Sequence, residues 1–350
     1  MLRVRTFFAI AAALLLSACV STPDQPPPPA TAPTPNMLPP TASVTAGIEQ
    51  YMQQRAQVER VGFRLRQSAA RTCAKDGNVR LDLGVIVWSL ANFSNDEDRA
   101  RLQKSFGLTN AVTVALAVQD APAARSGLKA GIIVTHVNEE PLGEGKGATE
   151  RFIQLSNAAS KKGAVRFRLS NGQTLTALPQ IVCEFPTLLV RSPEINAAAD
   201  GRVLAITSGL FELTRSDDEL ALILGHELAH NMLGHLKKDP APKESGSLLD
   251  AFVRATIGTA VAKTVTPPYS IENEKEADYV GLYLMARAGY NITAAEAFWR
   301  RLNETTRAKA VTATHPSGED RLHALQGAIA EIKAKQKAKQ PLEPNLKPRQ

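Results

Sequence analysis

A five-residue pattern, His-Glu-Leu-Ala-His at positions 226–230, constrains this chain more than any other feature. Residues i and i+4 lie on the same face of an α-helix, so a helix here would present His226 and His230 to one metal ion. Glu227 would point past that ion, to the place where a bound water molecule reacts. The pattern therefore predicts a metal-binding helix with a glutamate able to act on water.

The surrounding residues favour a buried helix. Ser216 and Glu219 form a capping-box pattern before the apolar run 220–224, and Pro240 follows the motif, which predicts a helix from about Asp217 to Lys237. An apolar run that covers every side of a helix is typical of a helix inside a domain. Histidines and a glutamate there are costly unless they are paired or bind a metal. A core helix with satisfied histidines is the alternative.

A second acidic segment offers the missing ligand, because a catalytic zinc ion usually has three protein ligands and one open position. Ser270 can cap a helix in which Glu274 and Asp278 lie one turn apart on one face. Glu274 could then bind zinc, while Asp278 holds the outer nitrogen of a ligand histidine. Glu272 and Glu276 lie off that face, and we expect them to be solvated. The alternative for Glu274 and Asp278 is a charged, exposed helix face.

Two other kinds of zinc site do not fit the spacing. His235 lies one position short of the place where a metzincin has its third histidine, and Leu236 stands at that place, so we interpret His235 as structural. No cysteine lies near the motif, which excludes a cysteine-rich structural zinc site. The sequence thus favours a catalytic zinc site.

The C-terminal half of the chain, about residues 190–325, resembles the gluzincin endopeptidases of peptidase family M48, of the HtpX- and Oma-like kind. The stretches that carry the resemblance are 196–201, 207–210, 218–221, 226–230, 274–278, and Thr314-His315-Pro316 with Arg321. The resemblance implies a zincin-like fold and one Zn²⁺ per chain, with His226, His230 and Glu274 as ligands. It also implies Glu227 as the catalytic base.

His315 and Arg321 enter only through this resemblance. Both are candidates for a further catalytic role, as donors to the oxyanion that forms when a peptide carbonyl is attacked. His315 has two alternatives. It could occupy the open position of zinc in a resting state and act as a gate, or it could simply start a helix before Pro316.

Two nearby segments bear on substrate access. Residues 203–206 predict a short strand, and the family resemblance implies an edge strand there that pairs with the substrate backbone. A buried strand with both neighbours filled is the alternative. Residues 247–266 predict an amphipathic helix, which could act as a lid, contact a membrane or a partner, or pack on the domain.

The N-terminal residues predict the cellular localisation of the protein. Arg3 and Arg5 precede an apolar stretch that is too short to span a bilayer but suits a secretory signal peptide, residues 1–18. The sequence Leu-Ser-Ala-Cys at 16–19 resembles the bacterial lipobox, which implies lipidation of Cys19 after cleavage. Val20, in place of an aspartate, favours an outer-membrane lipoprotein that faces the periplasm of the bacterial envelope. Residues 19–44 are proline-rich and predict an extended tether. An uncleaved anchor or a secreted protein is the alternative.

Residues 45–75 predict a helical lead-in, and residues 76–185 predict a second folded unit that resembles a bacterial PDZ domain. The pattern has strands at 112–115 and 132–137, a helix near 148–159 and a hairpin at 165–169 and 174–178, with 80–85 in place of the carboxylate-binding loop. Such a domain would take a peptide ligand as an added strand. A spacer domain that binds nothing is the alternative.

Cys73 and Cys183 frame the unit and predict a disulfide in an oxidising periplasm, with two buried thiols as the alternative.

The net charge of +7 is confined to the two ends of the chain. Two arginines lie in the predicted signal peptide, and six basic residues against one acid lie in 333–350, so the remainder is neutral (7 − 2 − 5 = 0). The charge therefore indicates no nucleic-acid partner. The run 333–339 continues a helical pattern and then frays, and we expect 333–350 to be a disordered basic tail, either solvated or in contact with anionic lipid.

The sequence thus predicts an α+β protein, with a PDZ-like β-rich domain followed by a mainly α zincin-like metalloprotease domain at 186–332. We expect a periplasmic zinc endopeptidase that cleaves misfolded or stalled envelope proteins through water bound to zinc, with Glu227 as base. The alternatives are a chaperone-like or scaffold lipoprotein with a shut zinc site, and a hydrolase of cell-wall peptides.

Overall fold

The computed structural model describes residues 47–235, 269–304, 315 and 319–346. The predicted signal peptide, Cys19, the tether and the predicted helix at 247–266 lie outside these ranges. Among the helices of the described ranges, none is both long enough and apolar enough to cross a membrane.

A long helix, α1 (Ile48–Cys73), opens the described chain and is followed by a 3-10 turn, Ala74–Asp76. Its apolar side chains share one core with the helices of the C-terminal part. The predicted lead-in is therefore packed into that core. Gly62 allows the close approach, because a Cβ at this position would collide with the side chain of Thr187.

The middle of the chain forms an antiparallel sheet. Its elements are β1 (Val79–Asp82), β2 (Val85–Trp88), a 3-10 turn (Leu90–Asn92), α2 (Asp96–Phe106), β3 (Val112–Ala117), α3 (Pro122–Arg125), β4 (Ile133–Val137), β5 (Glu140–Pro141), α4 (Lys146–Ser160), β6 (Val165–Leu169), β7 (Thr174–Ala177) and β8 (Gln180–Cys183). The middle sheet has the strand order β2-β3-β4-β6-β7, with β5 paired to β4, whereas β1 and β8 form a separate two-stranded sheet. Buried and exposed residues alternate along β6, so one face of the sheet packs on α4.

The strands, the helix and the hairpin predicted for 112–178 are present, with ends that differ by a few residues. Local patterns explain this agreement, because period-2 apolar residues and turn residues mark each strand. The identity of this unit as a PDZ domain stays a prediction.

The C-terminal part combines a small sheet with helices. Its elements are β9 (Thr187–Val190), β10 (Ala197–Ala199), β11 (Leu204–Thr207), α5 (Ser208–Leu213), α6 (Asp217–Leu233), α7 (Ile271–Arg287), α8 (Ala294–Glu304) and α9 (Glu319–Lys337). The strand order is β10-β11-β9, with β11 antiparallel to β10 and parallel to β9. The expectation that 203–206 form an edge strand is therefore wrong. Every residue of β11 is buried and both its neighbours are filled, so β10 is the edge strand beside it.

Cys73 and Cys183 form a disulfide with their Cα atoms 5.6 Å apart. The bond joins the end of α1 to the end of β8, and both side chains are buried. It therefore fastens the two-stranded β1–β8 sheet to the helix that packs into the C-terminal core.

The helical pattern predicted for the start of 333–350 is present, but the disorder predicted for this tail is wrong for residues 338–346. Helix α9 continues to Lys337, and the following segment folds back along it. Asn345 N–H donates to Tyr279 Oη at 2.9 Å, and Asn345 Nδ2 donates to Glu331 Oε1 at 2.8 Å. Tyr279 on α7 and Glu331 on α9 thus supply polar partners that a composition argument does not reveal. Residues 347–350 lie outside the described ranges.

Candidate metal centre and active site

Helix α6 carries the motif, begins as predicted and ends earlier than predicted. Ser216 Oγ accepts a hydrogen bond from Glu219 N–H at 3.3 Å, which caps the first turn. The helix ends at Leu233, because Gly234 adopts the left-handed conformation with φ of 64°. The predicted end at Lys237, ahead of Pro240, is therefore wrong. The apolar run 220–224 and both motif histidines are buried, as predicted for a helix inside a domain.

Helices α6 and α7 cross at two glycines. A Cβ on Gly281 would lie 3.0 Å from His226 N, and a Cβ on Gly225 would lie 3.2 Å from Gly281 O. Any larger residue would push the two backbones apart. The close crossing brings Glu274 and Asp278, which share one face of α7, next to His226. Glycines inside two helices that both carry candidate ligands were a sequence signal for this crossing.

The expected ligands converge on one point. His226 Nε2 lies 3.0 Å from His230 Nε2 and 3.3 Å from Glu274 Oε2, and His230 Nε2 lies 3.3 Å from Glu274 Oε1. Zinc–ligand bonds of about 2.0–2.1 Å in tetrahedral geometry separate ligand atoms by about 3.3 Å. The donor atoms therefore fit one tetrahedral cation.

His315 completes a group of four donors that lie within 4.8 Å of one another. Its Nδ1 lies 3.0 Å from Glu274 Oε2 and 3.3 Å from His226 Nε2. Its Nε2 lies 3.6 Å from Glu227 Oε1. The side chain is buried, so His315 lies inside the site and not at its margin.

Glu227 is buried beside the donor atoms. Within the described part of the chain, its Oε2 has no hydrogen-bond partner. A buried carboxylate oxygen without a donor is costly, so this oxygen is suited to accept a proton or a hydrogen bond from a molecule bound next to it. A water molecule on a cation held by the donors would supply that hydrogen bond.

Asp278 occupies its predicted place behind His226. Its Oδ1 lies 2.9 Å from His226 Nδ1, the nitrogen that faces away from the donor group. Arg321 donates to Asp278 through Nε and through Nη2, the latter at 2.8 Å, and its guanidinium carbon lies 4.0 Å from the ring centre of Trp299. Arg321 is thus directed at Asp278, and its Nη2 lies 3.6 Å from Glu274 Oε2. This placement indicates that Arg321 positions the carboxylates.

Glu276 is only partly solvated, because its side chain also pairs with a buried histidine. Its Oε2 lies 3.1 Å from Nε2 of the fully buried His235, whose Nδ1 lies 2.9 Å from His230 Nδ1. Gly234 turns the chain so that His235 returns towards the metal helix. Tyr269, which sequence reasoning missed, stacks on the His230 ring with centroids 3.7 Å apart. Glu272 is exposed, as expected.

Burial and neighbouring charges shift the acid–base behaviour of the site. Burial disfavours protonation of His226, but the Glu274 and Asp278 carboxylates outweigh it and raise the pKa of His226 to about 10. Burial lowers the pKa of His230 and raises that of Glu227. Burial also opposes ionisation of the Glu274 and Asp278 carboxyl groups. The imidazoles of His315 and His226 nevertheless hold the pKa of Glu274 well below its usual range, and Arg321 lowers that of Asp278.

The edge strand β10 is fastened to the metal helix. Asn231 on α6 accepts a hydrogen bond from Gly201 N–H at 2.7 Å and donates to Val203 O at 3.0 Å, so it holds the turn between β10 and β11. Tyr269 Oη donates to Ala199 O at 2.8 Å. The strand edge and the donor group are therefore connected through α6 and Tyr269.

Residues 80–85 are the segment predicted to stand in place of a carboxylate-binding loop. The backbone of this segment binds the side-chain carboxylate of Asp82. Gly84 N–H donates to Asp82 Oδ1 at 2.9 Å, and Arg66 Nη1 on α1 donates to Asp82 Oδ2 at 3.0 Å. A cavity of about 60 Å³ opens between this loop and α4, with Phe63 and Phe152 in its wall. A terminal carboxylate could use the Gly84 amide only if Asp82 moved away.

Comparison with known proteins matches the C-terminal part of the chain. Residues 184–329 match the model of Peptidase family M48. The mitochondrial metalloendopeptidase OMA1 of Schizosaccharomyces pombe is 27% identical over 159 residues, which cover 42% of this chain and 47% of that protein. A proposed beta-barrel assembly-enhancing protease of Vibrio cholerae is 33% identical over 160 residues, which cover 39% of this chain and 33% of that protein. The beta-barrel assembly-enhancing protease of Escherichia coli K12 is 26% identical over 160 residues, with the same shares.

These matches span between a third and a half of each relative. The matched residues include the whole donor group and Glu227. The relatives are named as proteases, and the donor group is built for a metal ion. Residues 184–329 of this chain are therefore similar to Peptidase family M48.

Proposed function

We propose that the protein is a zinc-dependent endopeptidase, anchored by lipid at Cys19 and facing the periplasm, that cleaves misfolded or stalled proteins of the bacterial envelope. One observation carries the proposal. The nitrogens of His226 and His230 and the carboxylate of Glu274 stand at tetrahedral spacing, with an unpartnered oxygen of Glu227 beside them. Zn²⁺ held there would polarise a peptide carbonyl and lower the pKa of a bound water.

The protein's own groups then handle the proton. Burial raises the pKa of Glu227, which makes it a better acceptor for a proton from water than an exposed glutamate. After attack on the peptide carbonyl, Glu227 can return that proton to the departing amine. Arg321 keeps Asp278 ionised against His226, which holds the imidazole with its Nε2 towards the donor group.

The substrate is an extended polypeptide segment. Within the described residues, β10 is one of the two edge strands of the small sheet, and Asn231 fixes the β10–β11 turn to the metal helix. Main-chain pairing along such an edge depends little on side chains, which suits an enzyme that acts on unfolded segments. The envelope assignment rests on the lipobox-like sequence at 16–19 and on the names of the bacterial relatives.

The test is hydrolysis of unfolded casein by the purified protein and by Glu227→Gln. We expect the variant to keep one zinc per chain and to lose at least about 10³-fold in kcat, because the base is lost and the ligands remain. Full activity of Glu227→Gln would contradict the proposal. Activity on cell-wall peptides with none on proteins would favour the alternative hydrolase.

The position of His315 favours a second candidate, a protein whose site is shut at rest. Four protein ligands make a closed site, whereas a catalytic site keeps one position for water or substrate. His315 Nδ1 lies at ligand spacing from both Glu274 and His226. His315→Ala separates the roles. It should raise casein hydrolysis if His315 closes the site, and lower it if His315 donates to the oxyanion.

We also propose that the PDZ-like unit binds a peptide as a strand added to β2, which lies at an edge of the middle sheet. Asp82 occupies the Gly84 amide, so a peptide with a free carboxylate must displace it. Asp82→Ala should then strengthen the binding of a fluorescent peptide with a free C-terminus. A peptide whose C-terminus is amidated serves as the control. Equal binding of both peptides to both proteins would contradict this role.

A further inference from the structure

His230 has a partner on the side that faces away from the donor group. Its Nε2 lies at 3.0 Å from His226 Nε2, whereas its Nδ1 lies at 2.9 Å from His235 Nδ1. His235 in turn places its Nε2 at 3.1 Å from Glu276 Oε2. A row of three side chains therefore runs from the proposed metal position to the half-buried Glu276.

The positions of the protons along this row follow from hydrogen-bond chemistry. When His230 Nε2 uses its lone pair on a cation, the ring proton resides on Nδ1 and must be donated to His235 Nδ1. The proton of His235 then resides on Nε2, where the Glu276 carboxylate, which only accepts, receives it. In the reverse arrangement, a lone pair of His235 would face the carboxylate without a proton between them. Glu276 thus selects one direction for the whole row.

We propose that His235 and Glu276 are positioning residues that hold His230 in the tautomer and ring direction needed for metal binding. This inference rests on the proposed function, because it requires a cation at His230 Nε2. It assigns to His230 a support different from that of His226, whose Nδ1 meets the Asp278 carboxylate directly.

The local fold fits the assignment. The left-handed Gly234 returns His235 to the His230 ring just after α6 ends, and His235 is fully buried. Tyr269 covers one face of the His230 ring at 3.7 Å, so rotation of that ring is hindered on that side. Glu276 stands on α7, the helix that also carries Glu274. The row therefore ties the last turn of the metal helix to the helix of the third ligand.

The test compares two substitutions of similar size in the full chain. His235→Gln keeps an acceptor for His230 and a donor for Glu276, whereas His235→Leu keeps volume alone. Zinc affinity is measured on the metal-free protein by competition with a chromophoric chelator, and the visible spectrum of the Co²⁺-loaded protein reports the ligand geometry. We expect His235→Leu to weaken zinc binding by about 10- to 100-fold and to shift the Co²⁺ bands, and His235→Gln to restore most of both.

Equal zinc affinity of the Leu and Gln variants and the unchanged protein would overturn the inference. Glu276→Ala provides a second comparison if His235→Leu does not fold, with the exposed Glu272→Ala on the same helix as its control. Glu276→Ala should weaken zinc binding several-fold relative to Glu272→Ala, and equality would overturn the inference. The proposed function fails separately, if the unchanged protein binds no zinc or if Glu274→Ala binds it equally well.

Discussion

The crossing of α6 and α7 makes Gly281→Ala the sharpest perturbation of the fold around the site. The added Cβ would lie 3.0 Å from His226 N and 3.1 Å from Gly225 C, so it meets backbone on a packed helix and has no flexible side chain to displace. Overpacking of this kind costs about 1–3 kcal/mol, and the better helix propensity of alanine returns about 1 kcal/mol. We therefore expect a net loss of up to about 2 kcal/mol in the free energy of unfolding.

The same substitution should weaken the metal site, because the helices must separate by a few tenths of an ångström between His226 and Glu274. A loss of about 10-fold in zinc affinity is expected from a shift of that size. Gly327→Ala is the matched control, since a Cβ at this helical position on α9 meets nothing within 4 Å. It should stabilise the protein by up to about 1 kcal/mol and leave zinc binding unchanged.

The measurements are urea unfolding followed by circular dichroism and chelator competition for zinc. Opposite signs of the stability change in the two variants are the expected result. If Gly281→Ala matched Gly327→Ala in both stability and zinc affinity, the two helices would not be in the contact described, and the placement of Glu274 would lose its basis.

Three further predictions concern stability and support of the site. Asp82 is paired with Arg66, which lowers the pKa of Asp82. The stabilisation by this pair is present above the pKa that Asp82 has in the unfolded chain. It is lost as the pH falls through the pKa that Asp82 has in the folded protein. Asp82→Asn should therefore lower the free energy of unfolding by on the order of 3 kcal/mol near pH 7 and by progressively less towards pH 3. Urea unfolding at each pH measures this difference, and a difference that stays constant with pH would refute the pairing. Cys73→Ser opens a loop with a sequence separation of 110 residues and should cost about 2–5 kcal/mol, so an unchanged midpoint under oxidising conditions would argue against the disulfide. Asp278→Asn should lower zinc affinity by about 10- to 100-fold, and Arg321→Met should lower it by less, as measured by chelator competition. Equal zinc affinity of the two variants and the unchanged protein would contradict a positioning role for both residues.

Local rules explain why three members of the donor group, His226, His230 and Glu274, could be predicted from the residues, whereas His315 entered only through the family resemblance. The i, i+4 spacing of His226 and His230 fixes their shared face once a helix is assumed, and the cap at Ser216 fixes where that helix begins. The one-turn spacing of Glu274 and Asp278 gives the ligand and its supporting carboxylate in the same way.

The remaining features depend on residues far apart in the sequence. The neighbours of β11 come from segments before it, so its central position cannot be read from its own four residues. His235 reaches His230 because Gly234 turns the chain, and Pro240 is the stronger helix-ending pattern in the sequence. The segment around Asn345 is ordered by Tyr279 and Glu331, which composition alone does not connect to it.

The central claim is that His226, His230 and Glu274 bind one zinc ion together. Metal analysis of the purified protein beside Glu274→Ala, joined with X-ray absorption at the zinc edge, tests it most directly. We predict one zinc per chain in a shell of nitrogen and oxygen ligands at about 2.0–2.1 Å, and loss of the zinc in Glu274→Ala while the circular dichroism spectrum is kept. Full zinc content and an unchanged ligand shell in Glu274→Ala would contradict the account.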